Sequence, residues 1–515
     1  MKLSALLEQL SAAQVINFTE TLLTHVTHDS RNAFEESLFV ALRGERFDGR
    51  NFIERCQAKV ILLDSLEPLE RGEDLNGVER WKALGKTLIL VEDARISMAQ
   101  AAAIIYEEPA KQLKMIGLTG TNGKTTTAWM IEQLLLTLRY RVGVIGTLGH
   151  RLDGAPLDQQ DGHTTPESCE LQRIFAQYVA KGCEVCVMEV SSIGLDMQRV
   201  SGTLFDVTAF ISFSQDHLDY HESMTHYLNS KRRLFSEHLH ADSLSILSDQ
   251  HPAITATTIA LGKALRIQNA ANTTAQSESG WTFEITDESA KGTAFTLSTS
   301  TTQIHKVWLP LIGQHNVENC CIALAAAQSV VQADGIELNQ LVHALSTISP
   351  PPGRMERCPI DKLTPDVFVD YAHSPEAIER ALLALRPLTK GRLWIIFGCG
   401  GDRDRSKRPL MGQIAASLAE FVVITSDNPR SEPPGAIINE INAGIPQQAL
   451  CSITIIADRA RAIAATIAQA HINDVILIAG KGHEQTQTIG ERVLPFVDQE
   501  HAQKALRKWV NCPSP

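Results

Sequence analysis

The chain has 515 residues, 44% hydrophobic and 21% charged, a balance that belongs to a folded globular protein and excludes a disordered one. That length is too great for a single hydrophobic core and predicts about three domains. The formal net charge of -12 argues against general affinity for nucleic acid or anionic membrane, while leaving room for a local basic pocket.

The ten cysteines are scattered without a disulfide-like framework. Near the N-terminus Glu8 and Gln9 interrupt the leucines, so neither an export signal nor a membrane span is expected, and the chain reads as cytoplasmic. Cys183 and Cys186 have redox or zinc spacing but no partner pair, and they read as part of a buried strand.

Residues 1–110 read as a small mixed α/β domain. Strands are predicted at 38–42, 60–63 and 88–91, and a helix at 96–106 that stops before Pro109. The polar stretches 27–31 and 44–50 read as surface turns.

A second domain is predicted over 111–348. An apolar strand at 113–118 runs into Gly117-Leu118-Thr119-Gly120-Thr121-Asn122-Gly123-Lys124-Thr125-Thr126, and a helical pattern carrying Trp129, Met130, Leu134 and Leu135 follows. Strand, glycine turn and helix together aim backbone N–H groups and a helix N-terminus at one spot. That arrangement suits phosphate oxygens, with Lys124 reaching the outer phosphates and the Thr125 hydroxyl available to Mg²⁺. Strict phosphate-loop spacing would put its first glycine at Leu118, so this is a variant flanked by Gly117 and Gly120.

Further along, 163–168 reads as a loop capping the helix that carries Leu171, Ile174 and Phe175. The strand 185–190 ends in Glu189-Val190-Ser191-Ser192, which puts a carboxylate on the ligand-binding edge of an open sheet, beside the phosphate loop if the two strands are neighbours. Asp216-His217 follows a strand at 207–213; it is either a metal-binding turn or a helix cap. Residues 281–311 alternate as antiparallel strands, the turn 313–319 opens a helix, and 350–354 is a stiff linker.

From 349 to 515 strand and helix alternate about five times, the rhythm of a doubly wound parallel sheet. The strand tips are Asp370-Tyr371-Ala372-His373, 398–405, Asp427-Asn428-Pro429-Arg430, Asp458-Arg459 and Gly480-Lys481-Gly482-His483-Glu484. Polar, glycine-rich tips sharing one sheet edge predict a binding site.

Taken as an ordered set, these motifs, together with Asn316, Asn319 and Gly353-Arg354, resemble those of the Mur ligase family along the whole chain. The resemblance implies a UDP-binding first domain, a central ATPase and a C-terminal amino-acid-binding domain. It implies ATP-dependent addition of meso-diaminopimelate to the D-glutamyl γ-carboxylate of UDP-N-acetylmuramoyl-L-Ala-D-Glu through an acyl phosphate, in peptidoglycan precursor synthesis, by a monomer. Two rivals are a related amide ligase, such as folylpolyglutamate synthetase, and a nucleotide-binding switch without catalysis.

By the same resemblance Lys124 and Mg²⁺ act on the phosphates, with Thr125, Glu189, His217 and Lys231 as metal ligands. Lys231 would act as a CO₂-derived carbamate; on its own it reads as a solvated helix lysine. Gly120 to Thr126, Asn316, Asn319, Arg354 and Asp370 are assigned to ATP. His28, Ser30, His163, Thr164, Thr165, Ser191, Met197 and Arg199 are assigned to the muramyl dipeptide. Arg403, Asp427, Asn428, Pro429, Arg430, Gly480 and Glu484 are assigned to diaminopimelate. Charge supports that last choice: Arg430, placed in an extended turn by Asn428-Pro429, can fork onto the carboxylate that diaminopimelate has and lysine lacks. The chain departs from the family pattern at His163, Ile193, Met197 and Ser212 and in the turn Glu45-Arg46-Phe47, positions bearing on sugar and peptide contacts rather than phosphoryl transfer.

Overall fold

Three sheets organise the chain in the computed structural model, which describes residues 1–10, 14–44, 47–67, 76–157, 163–272, 280–299, 304–358 and 364–511. Glu45 and Arg46, and residues 300–303 of the alternating segment, lie outside the described residues.

The first sheet has five strands in the order Gln14–Ile16, Thr87–Leu90, Val60–Leu63, Ser37–Val40 and His25–Thr27, all parallel to their neighbours except the first. Ser37–Val40 and Val60–Leu63 are buried at every position, so they carry continuous apolar runs rather than alternation, as parallel strands covered on both faces must. The helix Ala94–Ile105 begins where the Asp93 carboxylate accepts from the N–H groups of Arg95 and Ile96 at 2.8 and 3.0 Å.

The central sheet has eleven strands. Seven are parallel and run in the order Val142–Gly146, Val185–Glu189, Lys114–Thr119, Phe205–Phe210, Leu239–Ser248, Lys263–Asn269 and Gly280–Ser289. Antiparallel strands extend both edges: Gly292–Ser298 and Ile304–Leu309 on one, Gly149–Leu152 and Ala155–Pro156 on the other. Lys114–Thr119 therefore sits mid-sheet with Val185–Glu189 against one side, Glu189 in register with Leu118. The helices Lys124–Thr137 and Gln314–Val331 cover one face and bury Met130, Ile131, Leu134, Val317 and Leu324 in a common core. The second of these starts at Gln314, so 314–319 is the helix's first turns rather than a preceding turn. As helical residues three apart, Asn316 and Asn319 share a face.

The third sheet runs Glu356–Arg357, Asp366–Asp370, Val475–Ala479, Leu393–Phe397, Phe421–Ile424 and Ser452–Ile455, and only the first strand is antiparallel. Its two faces carry separate cores, one around Ile378, Phe397 and Met411, the other around Trp394, Ile463 and Leu506. Five parallel strands put their carboxyl-terminal tips on one edge, as the sequence pattern requires.

Inside this third unit Arg459 and Asp498 are both fully buried (0% exposed), joined by bonds of 2.8 and 2.7 Å, and Arg459 also donates to the Ala479 carbonyl at 2.9 Å. Removing one partner strands the other charge in a dry interior. Arg459→Met should cost about 3–5 kcal/mol of stability, and pairing it with Asp498→Leu should recover most of that; urea unfolding followed by tryptophan fluorescence measures both.

Candidate active site

The phosphate loop is a turn in which glycine is mandatory. Gly120 and Gly123 have φ of +151° and +91°, and a Cβ on Gly123 would lie 2.6 Å from Asn319 Oδ1 and 2.7 Å from Ile211 Cγ2. Ser212 pins the loop from the next strand's end: its carbonyl accepts from Thr121 N at 2.9 Å and its Oγ from Asn122 N at 2.8 Å. Thr121 Oγ1 meets the Tyr227 hydroxyl at 3.1 Å. Lys124 curls over the turn and donates to Gly120 O at 2.8 Å and Thr121 O at 3.0 Å. Burial lowers its pKa from the ordinary lysine value, against the pull of Glu189 and Asp216.

Strand adjacency delivers Glu189 to this loop. Its carboxylate is 1% exposed and accepts from Thr125 Oγ1 at 2.9 Å, Thr147 N at 2.9 Å and Thr147 Oγ1 at 3.0 Å. Gly146 makes room for it, since a Cβ there would lie 2.2 Å from Glu189 Oε1. Thr147 was not singled out by sequence; a threonine after a strand carries no signal of whom it will face. His217 has a left-handed φ of 53°, and its half-exposed ring lies 3.8 Å from Asp216. Crowding by the cleft walls holds its pKa below the usual histidine range against Asp216, and Lys231 and Lys124 add to the depression. It begins a four-residue helix without a side-chain cap of its own, while Asp216 Oδ1 accepts from the His217 N–H at 2.9 Å.

Lys231 is not a solvated helix lysine. It is 1% exposed, its Nζ donates to Gly120 O at 2.9 Å, and it lies 4.4 Å over the Tyr227 ring. Burial, then the neighbouring Lys124, pushes its pKa well below the ordinary value. Two lysines thus converge on one carbonyl, with Glu189 and Thr125 beside them. The hydroxyl and carboxylate form an oxygen-donor set suited to a hard cation.

Facing this loop, across an open cleft, is the edge of the third sheet. Asn122, Gly123 and Thr126 line one wall with Asn316 and Asn319; Arg354, Asp370 and Tyr371 line the other. Arg354 spans the gap. Its Nη2 donates to Thr125 Oγ1 at 3.2 Å and its guanidinium stacks 4.5 Å over Tyr371. Asn122 Nδ2 and Arg354 Nε are buried and bond to no described residue, so they are donors held ready for an acceptor-rich ligand. Asp370 is a structural member of the wall: its oxygens accept from Met355 N and Ala372 N at 2.7 and 2.8 Å, and burial raises its pKa. His315 and Arg380 also line the cleft and were not read from sequence.

A second group lies where the first and second units meet. The loop 163–168 leads into the helix Ser168–Ala180 as expected, but Glu167 at its N-cap position makes no side-chain cap. Its carboxylate instead takes Arg95 at 2.9 Å and Arg199 at 3.0 Å. Arg199 donates to Thr165 O at 3.0 Å, Thr165 Oγ1 donates to Glu189 O at 2.9 Å, and Ser191 N donates to Thr165 Oγ1 at 3.0 Å. Thr164 Oγ1 is 3.2 Å from Thr147 Oγ1. Thr164, Thr165, Ser191 and Arg199 are therefore one network running up to Glu189. Met197 puts its sulfur 3.5 Å from Arg199 Nη2. His28 Nδ1 approaches Cys169 Sγ at 3.6 Å, tying the first unit to the same helix; Ser30 is half-buried in the adjoining turn and His163 is exposed.

The third group is built on the strand tips of the last sheet. Asn428 Nδ2 and Lys481 Nζ both donate to Glu484 Oε2, at 2.7 and 2.8 Å, and Lys481 also donates to Asn428 Oδ1 at 3.1 Å. Asp427 is buried under Gly480, where a Cβ would lie 2.4 Å from its Oδ2, and burial raises its pKa. Arg430 is not in an extended turn: its φ is 51° and its N–H donates to Thr488 O at 3.2 Å, bridging to Ile489. The left-handed kink swings the guanidinium over the glycine loop, where Nη1 donates to Gly401 O at 2.6 Å. Gly400 lies between Arg430 and Arg403, a Cβ there falling 2.9 Å from Arg430 Nη1 and 3.8 Å from Arg403 Cγ. Pro429 helps seat this loop through its carbonyl, 1.9 Å from a Cβ placed on Gly401.

The Mur ligase middle domain matches residues 118–327, and the Mur ligase glutamate ligase domain matches residues 353–482. A UDP-N-acetylmuramoyl-L-alanyl-D-glutamate--2,6-diaminopimelate ligase of Gloeobacter violaceus is 38% identical over 501 residues, 96% of this chain and 95% of its own length. The enzyme of that name from Coxiella burnetii is 37% identical over 95% of this chain and 96% of its own. A solved structure of a protein with the same name superimposes with a TM-score of 0.62 at 30% identity, covering 94% of this chain and 95% of that one. The fold is also shared with a Mycobacterium tuberculosis folylpolyglutamate synthase (TM-score 0.58, 18% identity, 75% of this chain and 92% of that one).

His315 lines the cleft, His373 and His483 pack against the Tyr371 ring in its wall, and burial pushes the pKa of each down to about 4. In an unfolded chain each titrates near about 6.5, so between these values the unfolded state binds more protons and stability rises with pH. The melting temperature should therefore fall as pH drops from about 6.5 toward 4, and His373→Gln should make that fall shallower; differential scanning calorimetry across the window checks it.

Proposed function

We propose a function from one premise: this chain belongs to the Mur ligase family. It joins the amine of meso-diaminopimelate to the D-glutamyl γ-carboxylate of UDP-N-acetylmuramoyl-L-Ala-D-Glu, using ATP, as a cytoplasmic monomer. The observation carrying this reading is that the glycine loop with Lys124, the network ending at Glu189, and the Arg354 and Tyr371 wall meet around one cleft. Relatives named for this reaction match nearly the whole chain. Among the described residues no helix is long and apolar enough to cross a membrane.

A carboxylate does not accept an amine at neutral pH, so the γ-phosphate of ATP first converts it to an acyl phosphate. The amine then attacks, and phosphate leaves. For this Lys124 gives up the Gly120 and Thr121 carbonyls and turns to the transferring phosphoryl group, whose charge it stabilises. Asn122 Nδ2 and Arg354 Nε supply donors to the nucleotide, and Asn316, Asn319 and Asp370 shape its seat. Thr125 and Glu189 offer the oxygen ligands that would hold Mg²⁺, with His217 added as the family resemblance implies, and the ion would neutralise charge on the phosphates. Burial and the neighbouring Lys124 favour the neutral form of Lys231, the form in which an amine adds CO₂, and its carbamate would contribute a further oxygen ligand. Thr164, Thr165, Ser191 and Arg199 orient the dipeptide end, with His28, Ser30, His163 and Met197 toward the remainder of the nucleotide substrate. Glu484 and Asn428 take the amino acid's ammonium, and Arg403 and Arg430 its carboxylates.

A coupled phosphate-release assay tests this reading. Turnover should require ATP, the muramyl dipeptide and diaminopimelate together; release driven by a folate, or none with any amine, overturns it. Arg430→Ala should cut kcat/KM for diaminopimelate by about 100-fold and leave that for lysine nearly unchanged. An unaltered ratio of the two would remove the role given to Arg430.

A further inference from the structure

The short helix Ser192–Asp196 meets the helix Met224–Glu237 through a side-chain cluster that none of the roles above uses. Asp196, His221 and His226 each offer a ligand atom, and the three atoms lie within 4.8 Å of one another. The carboxylate is oriented from outside: the Tyr220 hydroxyl donates to Oδ2 at 2.9 Å and Ser230 Oγ to Oδ1 at 3.2 Å. His226 Nδ1 lies 2.9 Å from the His221 carbonyl, so Nδ1 carries the N–H and a neutral ring has its lone pair on Nε2. That Nε2 faces Asp196 Oδ1 at 3.1 Å. A lone pair set against a carboxylate oxygen is repulsive unless a cation neutralises the pair.

The His221 ring is 0% exposed. Its Nε2 is 2.9 Å from Ser192 Oγ, and its Nδ1 bonds to no described residue. If Nε2–H donates to the serine, Nδ1 is a buried lone pair without a partner, which is costly in a folded interior. A protonated His226 paired with Asp196 would explain one half of the cluster but not this nitrogen.

We propose that Asp196, His221 and His226 bind a divalent transition-metal ion, Zn²⁺ by preference, at a site separate from that of the catalytic Mg²⁺. Two imidazoles and one carboxylate suit Zn²⁺, whereas Mg²⁺ takes oxygen ligands in octahedral array. The partners on the far atoms, His221 O behind His226, Ser192 behind His221, and Tyr220 and Ser230 behind Asp196, are the outer-shell bonds that fix tautomer and orientation in such sites. The half-exposed His226 leaves a route for entry and a position for water. An ion here would tie the segment after Glu189 to the helix carrying Lys231.

The test is zinc uptake by the full chain, measured by titration calorimetry with Mg²⁺ at saturation, so its result does not depend on the ligase assignment. One Zn²⁺ per chain is expected, with affinity reduced at least about 100-fold in His226→Gln and phosphate release in zinc-free buffer unchanged. Asp196→Asn provides a second variant should the first fail to fold. Wild-type protein loaded with Co²⁺ should show the visible absorption of a low-coordinate nitrogen and oxygen site. No zinc uptake, equal uptake in folded variants, or no cobalt absorption overturns the proposal and leaves an imidazolium–carboxylate pair only.

Discussion

One backbone carbonyl, that of Gly120, accepts hydrogen bonds from two lysine side chains, half-buried Lys124 at 2.8 Å and buried Lys231 at 2.9 Å. Charge on both at once is disfavoured: burial lowers the pKa of each, and Lys124 lowers that of Lys231 further. The tension is relieved if Lys231 loses its proton or an anion enters the loop. The remaining architecture holds that carbonyl in place, with Ser212 pinning the loop from beneath and Tyr227 backing both Lys231 and Thr121.

Glycine placement does much of this work through absence. A side chain on Gly123 would displace Asn319, one on Gly146 would displace Glu189, and one on Gly480 would displace Asp427. Each glycine therefore sits where a functional polar group approaches backbone more closely than a Cβ permits. Gly400 performs the same service for Arg430, and so Arg430 and Arg403 can lie over one loop.

The three side-chain groups are not independent. Glu189 accepts from Thr125 on the phosphate loop while its carbonyl accepts from Thr165, which belongs to the network with Ser191 and Arg199. Arg354 reaches from the third unit to the same Thr125. The contacts of all three units thus converge on one threonine hydroxyl and one glutamate.

Much of the plan was legible in the residues. The glycine loop between an apolar strand and a helix, the five strand and helix repeats with polar tips, and the strand ending in Glu189 all follow from local patterning, since chain-neighbour chemistry and periodicity dictate them. The ordered motifs identified the family. Other features depended on contacts between residues distant in sequence. That Val185–Glu189 lies beside Lys114–Thr119, and so brings Glu189 to Thr125, is a matter of strand order. Lys231 has the local sequence of a surface lysine and becomes a buried amine because Tyr227 and the Gly120 carbonyl, 111 residues away in sequence, enclose it. Arg430 looks extended after Asn428-Pro429, yet its pairing with Ile489 forces it into a left-handed turn. Sequence by itself determined which chemical groups the protein possesses and the local elements that carry them. Tertiary structure alone decided their protonation and their partners, because burial and the fields of neighbouring charges arise from packing between segments that no local pattern records.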